Sequence, residues 1–378
     1  MSPIDLLKGM LEIYSPSGKE EELALFLKDK LPNLGFRNVR LGKVGNLYGE
    51  IGSGSPAILL CGHMDTVPSQ IPVRIEGRRI YGRGAVDAKS SLAAMISAVH
   101  NLGLTGIAGK VIVAGVVDEE RNARGIRQLL REGPSVDYAI FGEPSGSGNI
   151  TFAYRGRLDL RINCGTETGH IGAKHLYDNA VERSYELWGR LRRMLEAKKS
   201  PHGIFYSITP CITDIRSKRS MGSIPDECSI RVDVRLPPPI KCAEGIGLAE
   251  EAIELFKNEN SKVSVDLTVL DMVEPFVANR NTILMKALKE SIEEVTRKGS
   301  KFVRKTGTGD MNIFGTSTGI PVATYGPGDA QLSHTRNEYV EFEEFQACIK
   351  VYEKTVEKTI LEDQTLKSQM LHSDDPIA

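Results

Sequence analysis

Leu6, Leu7, Met10 and Leu11 fall on one face of PIDLLKGMLEIY, a spacing that predicts an opening helix. SPSGKEEELALFLKDKL predicts a second, with Ser17 and Glu20 spaced as a capping box. The pattern then changes. Residues 57–61 form a short, fully apolar run stopped by Gly62, and residues 111–117 form another. Such runs suit strands buried on both faces of a parallel sheet. Between them Leu92, Met95, Ile96, Val99 and Leu102 share a face, so residues 90–102 predict a crossover helix stopped by Gly103. Parallel sheets place ligands beyond the carboxyl ends of their strands, which nominates His63 and the Glu119-Glu120 pair from the pattern alone.

Beyond Arg155 the period is two. GRLDLRINC and ECSIRVDVRL alternate as strands with one wet face, and VSVDLTVL follows suit. A long charged helix is expected over 173–197 and another over about 243–257, after three prolines at 237–239. This order resembles a split β-α-β unit on a small antiparallel sheet. TILMKALKESIEEV, IPVATYG and EFEEFQACIKVYEKTVEKTIL then return the chain to its first domain as helix, strand and helix. The expected architecture is α/β: a mixed, largely parallel sheet flanked by helices over 1–155 and 271–362, carrying an inserted α+β, ferredoxin-like lid over 156–270. Residues 363–378 are polar and aperiodic and are expected to be a disordered tail.

Composition narrows the function classes. A length of 378 residues exceeds what one core commonly uses. With 48 Lys+Arg against 49 Asp+Glu, no global field points to nucleic acid. Six cysteines without a C-x-x-C pair read as reduced thiols. The chain opens on no basic segment followed by an apolar one and contains no 18-residue apolar stretch, so a cytoplasmic protein without a membrane partner is expected.

Five landmarks carry the chemistry: His63-Met64-Asp65, Asp87 in GRGAVDAK, Glu119-Glu120, Glu143 in GEPS and His334 in SHTRNE. Imidazole and carboxylate are ligands for Zn²⁺-like cations, and two His with three acids can hold two metals if one carboxylate bridges them. One acid of the Glu pair is then free to act as a base. Four of the five landmarks also have a plainer explanation: a satisfied polar residue at His63, a helix N-cap at Asp87, a solvated cluster at 118–120, a turn residue at Glu143. On the functional side, Asp65 accepts a proton from one nitrogen of His63 while the other nitrogen binds metal. Asp87 bridges, because a carboxylate between two dications screens their repulsion. Neighbouring side chains on extended backbone point oppositely, so Glu120 ligates and Glu119 serves as general base.

In order and spacing, GHMDTVP, GRGAVDAK, DEE, GEPS and SHTRNE resemble the M20 co-catalytic metallopeptidases, a family that includes aminoacylases, acetylornithine deacetylase, succinyl-diaminopimelate desuccinylase and carboxypeptidase G. The resemblance spans about 14–361. It implies a zinc-aminopeptidase-like catalytic domain, with one metal on His63, Asp87 and Glu143 and the other on Asp87, Glu120 and His334. It also implies two divalent ions per subunit, Zn²⁺ or Co²⁺, and a homodimer formed through the lid. His170 in TETGHIGAKH stands where a family lid histidine steadies the tetrahedral oxyanion, frequently in the partner subunit's site; the alternative is a surface-loop histidine. One departure is Gly222 in SMGSIPDE, where the family carries Asn.

KTGTGDMNIFG and YGPGDAQLSHTRNEYV look most like the lysine and ornithine branch, whose enzymes release the amino acid from the C-terminal glutamate side chain of an acidic amino-group carrier protein. On that branch Arg183, Arg190, Arg192, Arg193, Lys198, Lys199, Arg216, Lys218 and Arg219 would steer the carrier, or they simply solvate their elements. Asp310 and Asp329 are candidates for the substrate ammonium, and Arg155 and Lys305 for a carboxylate. Rival expectations are a small-molecule N-acyl deacylase or desuccinylase and a non-catalytic metal- or carrier-binding scaffold. A scaffold has no use for the base Glu119.

Overall fold

Every residue of the first apolar run is buried in the strand Ala57–His63, which lies between two parallel neighbours, Lys110–Val116 and Tyr138–Gly142. The computed structural model describes residues 1–218 and 221–373. The chain divides into two units, Met1–Phe152 with Ala278–Val303 and Ile313–Ala378, and Ala153–Val277 with Arg304–Asn312.

In the first unit Val322–Tyr325 extends the parallel core beside Tyr138–Gly142. Antiparallel strands flank it: Leu47–Gly52 and Arg37–Leu41 on one side, Asn149–Tyr154 on the other. Four parallel strands therefore end together, and the landmarks leave from those ends. The crossover helix is Lys89–Thr105, buried along most of its length. It starts earlier than its periodicity suggested and passes through Gly103 to Gly106. Gly103 does not stop the helix; it lets Ile51 approach, since a Cβ there would lie 3.0 Å from the Ile51 side chain. The helix N-cap is Ala88 without a side-chain cap, so Asp87 is not spent on capping. The first turn of this helix lies hard against a strand end, where a Cβ on Gly326 would sit 2.2 Å from Ser91 Oγ.

Two other expectations change in this unit. Ser17 and Glu20 form no capping box, because both side chains are used elsewhere. Ser17 Oγ donates to Asp65 Oδ2 at 2.7 Å, and Glu20 Oε1 accepts from Gly18 N and Asp118 N. The second expectation is the tail. The last helix continues from Phe342 to Ser373, so 363–373 is ordered as helix rather than irregular; residues 374–378 lie outside the described residues. Polar anchors explain the extension. Asp363 accepts from Tyr138 Oη at 2.9 Å, and the Gln364 amide donates to the carbonyls of Ser55 and Ala108.

The second unit is an antiparallel sheet in the order Thr209–Ser217, Glu227–Leu236, Gly156–Gly165, Ser264–Val273, with helices Ala180–Glu196 and Cys242–Glu259 packed on it. Its core takes alternate residues of the strands, among them Leu158, Leu160, Ile162, Ile230, Val232 and Val234, with Trp188 and Phe256 from the helices. The opposite strand positions are polar: Asp159 meets Arg157 and Arg231, and Asp233 meets Arg157 and Arg235. The expected helix over 173–197 is instead a 3₁₀ segment, Ile171–Leu176, followed by the helix from Ala180. Asn179 divides them, its side chain accepting from Val181 N and Glu182 N as an N-cap. All six cysteines are free, and no described helix is long and apolar enough to cross a membrane.

Candidate metal centre

His63 is the last residue of its strand and is buried. Its Nδ1 lies 2.9 Å from the Asp65 carbonyl oxygen and 3.6 Å from Asp65 Oδ1. The main chain of Asp65, more than its carboxylate, thus fixes the ring with the proton on Nδ1 and leaves Nε2 for a ligand. The carboxylate has a second set of partners besides His63. Oδ1 accepts from Glu119 N at 3.0 Å and Oδ2 from Glu120 N at 3.1 Å, which ties the acidic pair to the His63 strand. Burial pushes the Asp65 carboxyl up, but hydrogen bonds from His63, Ser17 and Glu119 hold it below its ordinary range.

The acidic pair does not stand on extended backbone. Its strand ends at Val116, Asp118 turns the chain at φ 64°, and Glu119 and Glu120 occupy a turn. Turn geometry, rather than strand alternation, separates their side chains. Asp87 leaves the turn before the crossover helix, and Glu143 follows Tyr138–Gly142. His334 enters late in the chain from a left-handed residue, φ 63°.

These side chains converge. His63 Nε2 is 3.3 Å from Asp87 Oδ1 and 3.6 Å from Glu143 Oε1. His334 Nε2 is 3.0 Å from Glu120 Oε1 and 3.5 Å from Asp87 Oδ2. Two triads result, His63/Asp87/Glu143 and Asp87/Glu120/His334, with the ligand atoms of each within 4.8 Å of one another. The two oxygens of Asp87 face different histidines, which is what a bridging carboxylate requires. The donor set fits a pair of divalent cations in two further respects. His63 Nε2 is buried and turned onto the carboxylates of Asp87 and Glu143 rather than onto a main-chain or hydroxyl partner. Both imidazoles are also driven toward the protonated form. For His63, burial opposes this, yet hydrogen bonds with Asp65 and Asp87 and the charges of Glu119 and Glu143 raise it well above its ordinary value; for His334, Asp87 and Glu120 push it up to about 10. A cluster this acidic calls for positive charge between its oxygens, and a cation supplies it. Glu120 is raised, first by burial, despite its hydrogen bond to His334.

The remaining candidates are members of neither triad. His170 is exposed in the second unit, at the N-cap of Ile171–Leu176, with Nδ1 accepting from Gly172 N at 3.1 Å. Gly222 sits beside it in the fold, its carbonyl accepting from Ile171 N at 3.0 Å. Arg155 is buried and spends Nε on the Thr306 carbonyl and Nη1 on Ile204 O, Ser207 O and Thr209 Oγ1. Two of its three nitrogens therefore clamp the second unit instead of presenting an open fork to a carboxylate. Lys305 Nζ stands 5.9 Å from the Tyr154 ring centroid, and Asp310 is buried at the start of the helix Asp310–Thr318. Asp329 is an exposed cap, accepting from Gln331 N. Several basic residues nominated for steering are paired with acids: Arg183 with Asp178 and Glu186, Arg190 with Glu259, Arg216 with Asp214, Lys218 with Glu227. Arg219 lies outside the described residues.

Sequence reasoning missed the supports. Lys89 is buried and donates to the carbonyls of Met10 (3.0 Å) and Ile13 (2.7 Å), where the helix Pro3–Glu12 ends and its dipole is negative. Burial lowers its ammonium to about 7. Glu338 was equally silent, since a polar residue in a loop carries no periodic signal, and Ser17 and Glu20 were legible only as a helix cap. A Glu four residues after His334 was the available hint.

Comparisons with known proteins agree with this geometry. The model of peptidase family M20/M25/M40 matches residues 59–358. The LysW-lysine/LysW-ornithine hydrolase of Sulfurisphaera tokodaii is 34% identical over 358 residues, covering 94% of this chain and 95% of that one. The LysW-lysine hydrolase of Deinococcus radiodurans is 32% identical over 354 residues, covering 92% and 94%. Among solved structures, the M20 family metallo-carboxypeptidase Sso-CP2 from Sulfolobus solfataricus has the same fold, with a TM-score of 0.80 at 18% identity over 96% of this chain and 100% of that one. Two metal-ready triads sharing one carboxylate, on that fold and across that matched length, place the chain in peptidase family M20/M25/M40.

Proposed function

We propose that this protein is a metal-dependent amide hydrolase that releases lysine or ornithine from a LysW-type amino-group carrier protein, the bond cut being the amide to the carrier's C-terminal glutamate side chain. The observation that carries this reading is identity above 30% over more than 90% of both chains with relatives bearing that activity in their names. The site supplies the chemistry. Two divalent cations, Zn²⁺ or Co²⁺, held by His63, Asp87 and Glu143 and by Asp87, Glu120 and His334, would provide Lewis acidity toward the amide carbonyl and the attacking water. Asp65 Oδ1 accepts from the Glu119 N–H, which ties the Glu119 backbone to the His63 strand, and the charge of Glu119 acts on His63. Glu119 takes the proton from the water as it attacks and hands it to the departing amine. His170, with Nδ1 occupied by Gly172 N, keeps its proton on Nε2 and offers a donor to the developing oxyanion, within the subunit or across a homodimer formed by the second unit.

The test presents chelated enzyme, reloaded with metal, with carrier-lysine, carrier-ornithine, acetylornithine and succinyl-diaminopimelate side by side. The carrier conjugates are expected to turn over fastest. A free acylated amino acid processed as fast would overturn the carrier assignment in favour of a small-molecule deacylase.

A further inference from the structure

The shared ligand Asp87 is carried by a stretch, residues 82–88, that belongs to no helix or strand. Its main chain is nevertheless pinned, and by one acid. Glu338 Oε1 accepts from Gly84 N (2.9 Å), Val86 N (2.9 Å) and Asp87 N (3.0 Å), while Oε2 accepts from Arg83 Nη1 at 2.7 Å. The Glu338 carbonyl accepts from Gly82 N as well, at 3.2 Å. Glu338 is fully buried, and Arg83 is itself anchored by its Nε on the Ser69 carbonyl. Charge-assisted bonds of this kind are strong, and removing the acceptor strands several buried donors.

The same residue lies four positions after His334, and the strand it leads into, Tyr339–Glu341, pairs with Arg79–Tyr81. Asp87 and His334, far apart in the chain, are thus carried by two segments joined by a short strand pairing, with the Glu338 side chain holding the loop of Asp87 itself. Building on the two-cation reading above, we infer that Glu338 is the positioning residue that sets the separation of the two cations. It touches neither ion and acts through the Asp87 backbone and the short lead from His334. A ligand common to both ions makes the consequence specific: loosening the loop weakens both sites together.

The experiment titrates Mn²⁺ into the chelated full-length protein as wild type, Glu338→Gln and Glu338→Asp. Calorimetry reads the two dissociation constants, electron paramagnetic resonance reads the magnetic coupling between the bound ions, and thermal denaturation reads stability. Gln keeps the reach and loses the charge facing Arg83, whereas Asp keeps the charge and falls one methylene short of the three N–H groups. Both variants are expected to weaken both ions by about 10- to 100-fold and to reduce their coupling. Should Glu338→Gln not fold, Glu338→Asp carries the same readouts. A lowered melting temperature with unchanged dissociation constants and coupling would make Glu338 a purely structural residue and overturn the inference. Wild type that binds no Mn²⁺ pair would sink the two-cation reading and this one with it; wild type and variants binding alike sink this one alone.

Discussion

The His63 side chain is 1% exposed and ends a strand inside the sheet, whereas the His334 side chain is 50% exposed and leaves a left-handed turn. The two halves of the metal centre share Asp87 and otherwise differ in how they are held. On the His63 side the ring is fixed by the Asp65 main chain, and its buried Nε2 faces the Asp87 and Glu143 carboxylates. Acids gathered on one buried imidazole need positive charge, which a proton or a cation supplies. On the His334 side the ring is half exposed, and its Nε2 meets Glu120 and Asp87. On the two-cation reading, the buried half is expected to hold its ion more tightly than the exposed half.

The largest effect expected lies outside both halves. Glu119→Gln should keep two ions per chain by metal analysis and lower turnover about 10²- to 10⁴-fold, the usual contribution of a general base. Unchanged turnover would remove Glu119 from the mechanism and leave the halves to account for the rate alone.

The comparison itself is tested by removing each histidine. His63→Ala should destabilise the metal-free chain by about 2 kcal/mol, because it opens a cavity beside buried acids, while His334→Ala should cost about 1 kcal/mol, because its contacts with Asp87 and Glu120 are half exposed and screened. Thermal denaturation of the chelated variants reads both. Equal losses, or the reverse order, would break the distinction between a buried half and an exposed one.

The smallest effect is a pH dependence. In the metal-free chain His334 is raised from 6.5 to about 10 by Asp87 and Glu120. Its folded value lies above the unfolded one, so the contact contributes stability in full below about pH 6.5 and loses it as pH rises through about 10. The difference in melting temperature between chelated wild type and His334→Ala should therefore shrink across that window. The same sign predicts proton release at pH 7 when a cation displaces the proton, measurable by calorimetry in buffers of different ionisation enthalpy. A flat difference and no proton release would mean that His334 is neutral without metal.

Much of this centre was legible in residues alone, and the reasons are local. Apolar runs located the strands, and the ligands His63 and Glu143 stand at or just beyond their ends because a parallel sheet presents its carboxyl edge to ligands. Alternation in Glu227–Leu236 matched a half-buried strand with the same bounds. Capping was less legible. Ser17 and Glu20 had the spacing of a capping box, but tertiary hydrogen bonds to Asp65 and Asp118 N claimed them. Gly103 looked like a helix stop and is a packing site instead. Residues 363–373 lacked periodicity and are nonetheless helical, held by single polar anchors.

Residue types, order and spacing determined that the chain folds around a parallel sheet and carries ligands for hard or borderline cations, because periodicity and side-chain chemistry are properties of short stretches. Only the tertiary structure decided that each oxygen of Asp87 faces a different histidine, that Asp65 grips the Glu119-Glu120 turn, and that Glu338 pins the loop between them. Those contacts join residues tens to hundreds of positions apart. Burial and hydrogen-bond partners at such range are set by how the elements pack, and no local pattern encodes them.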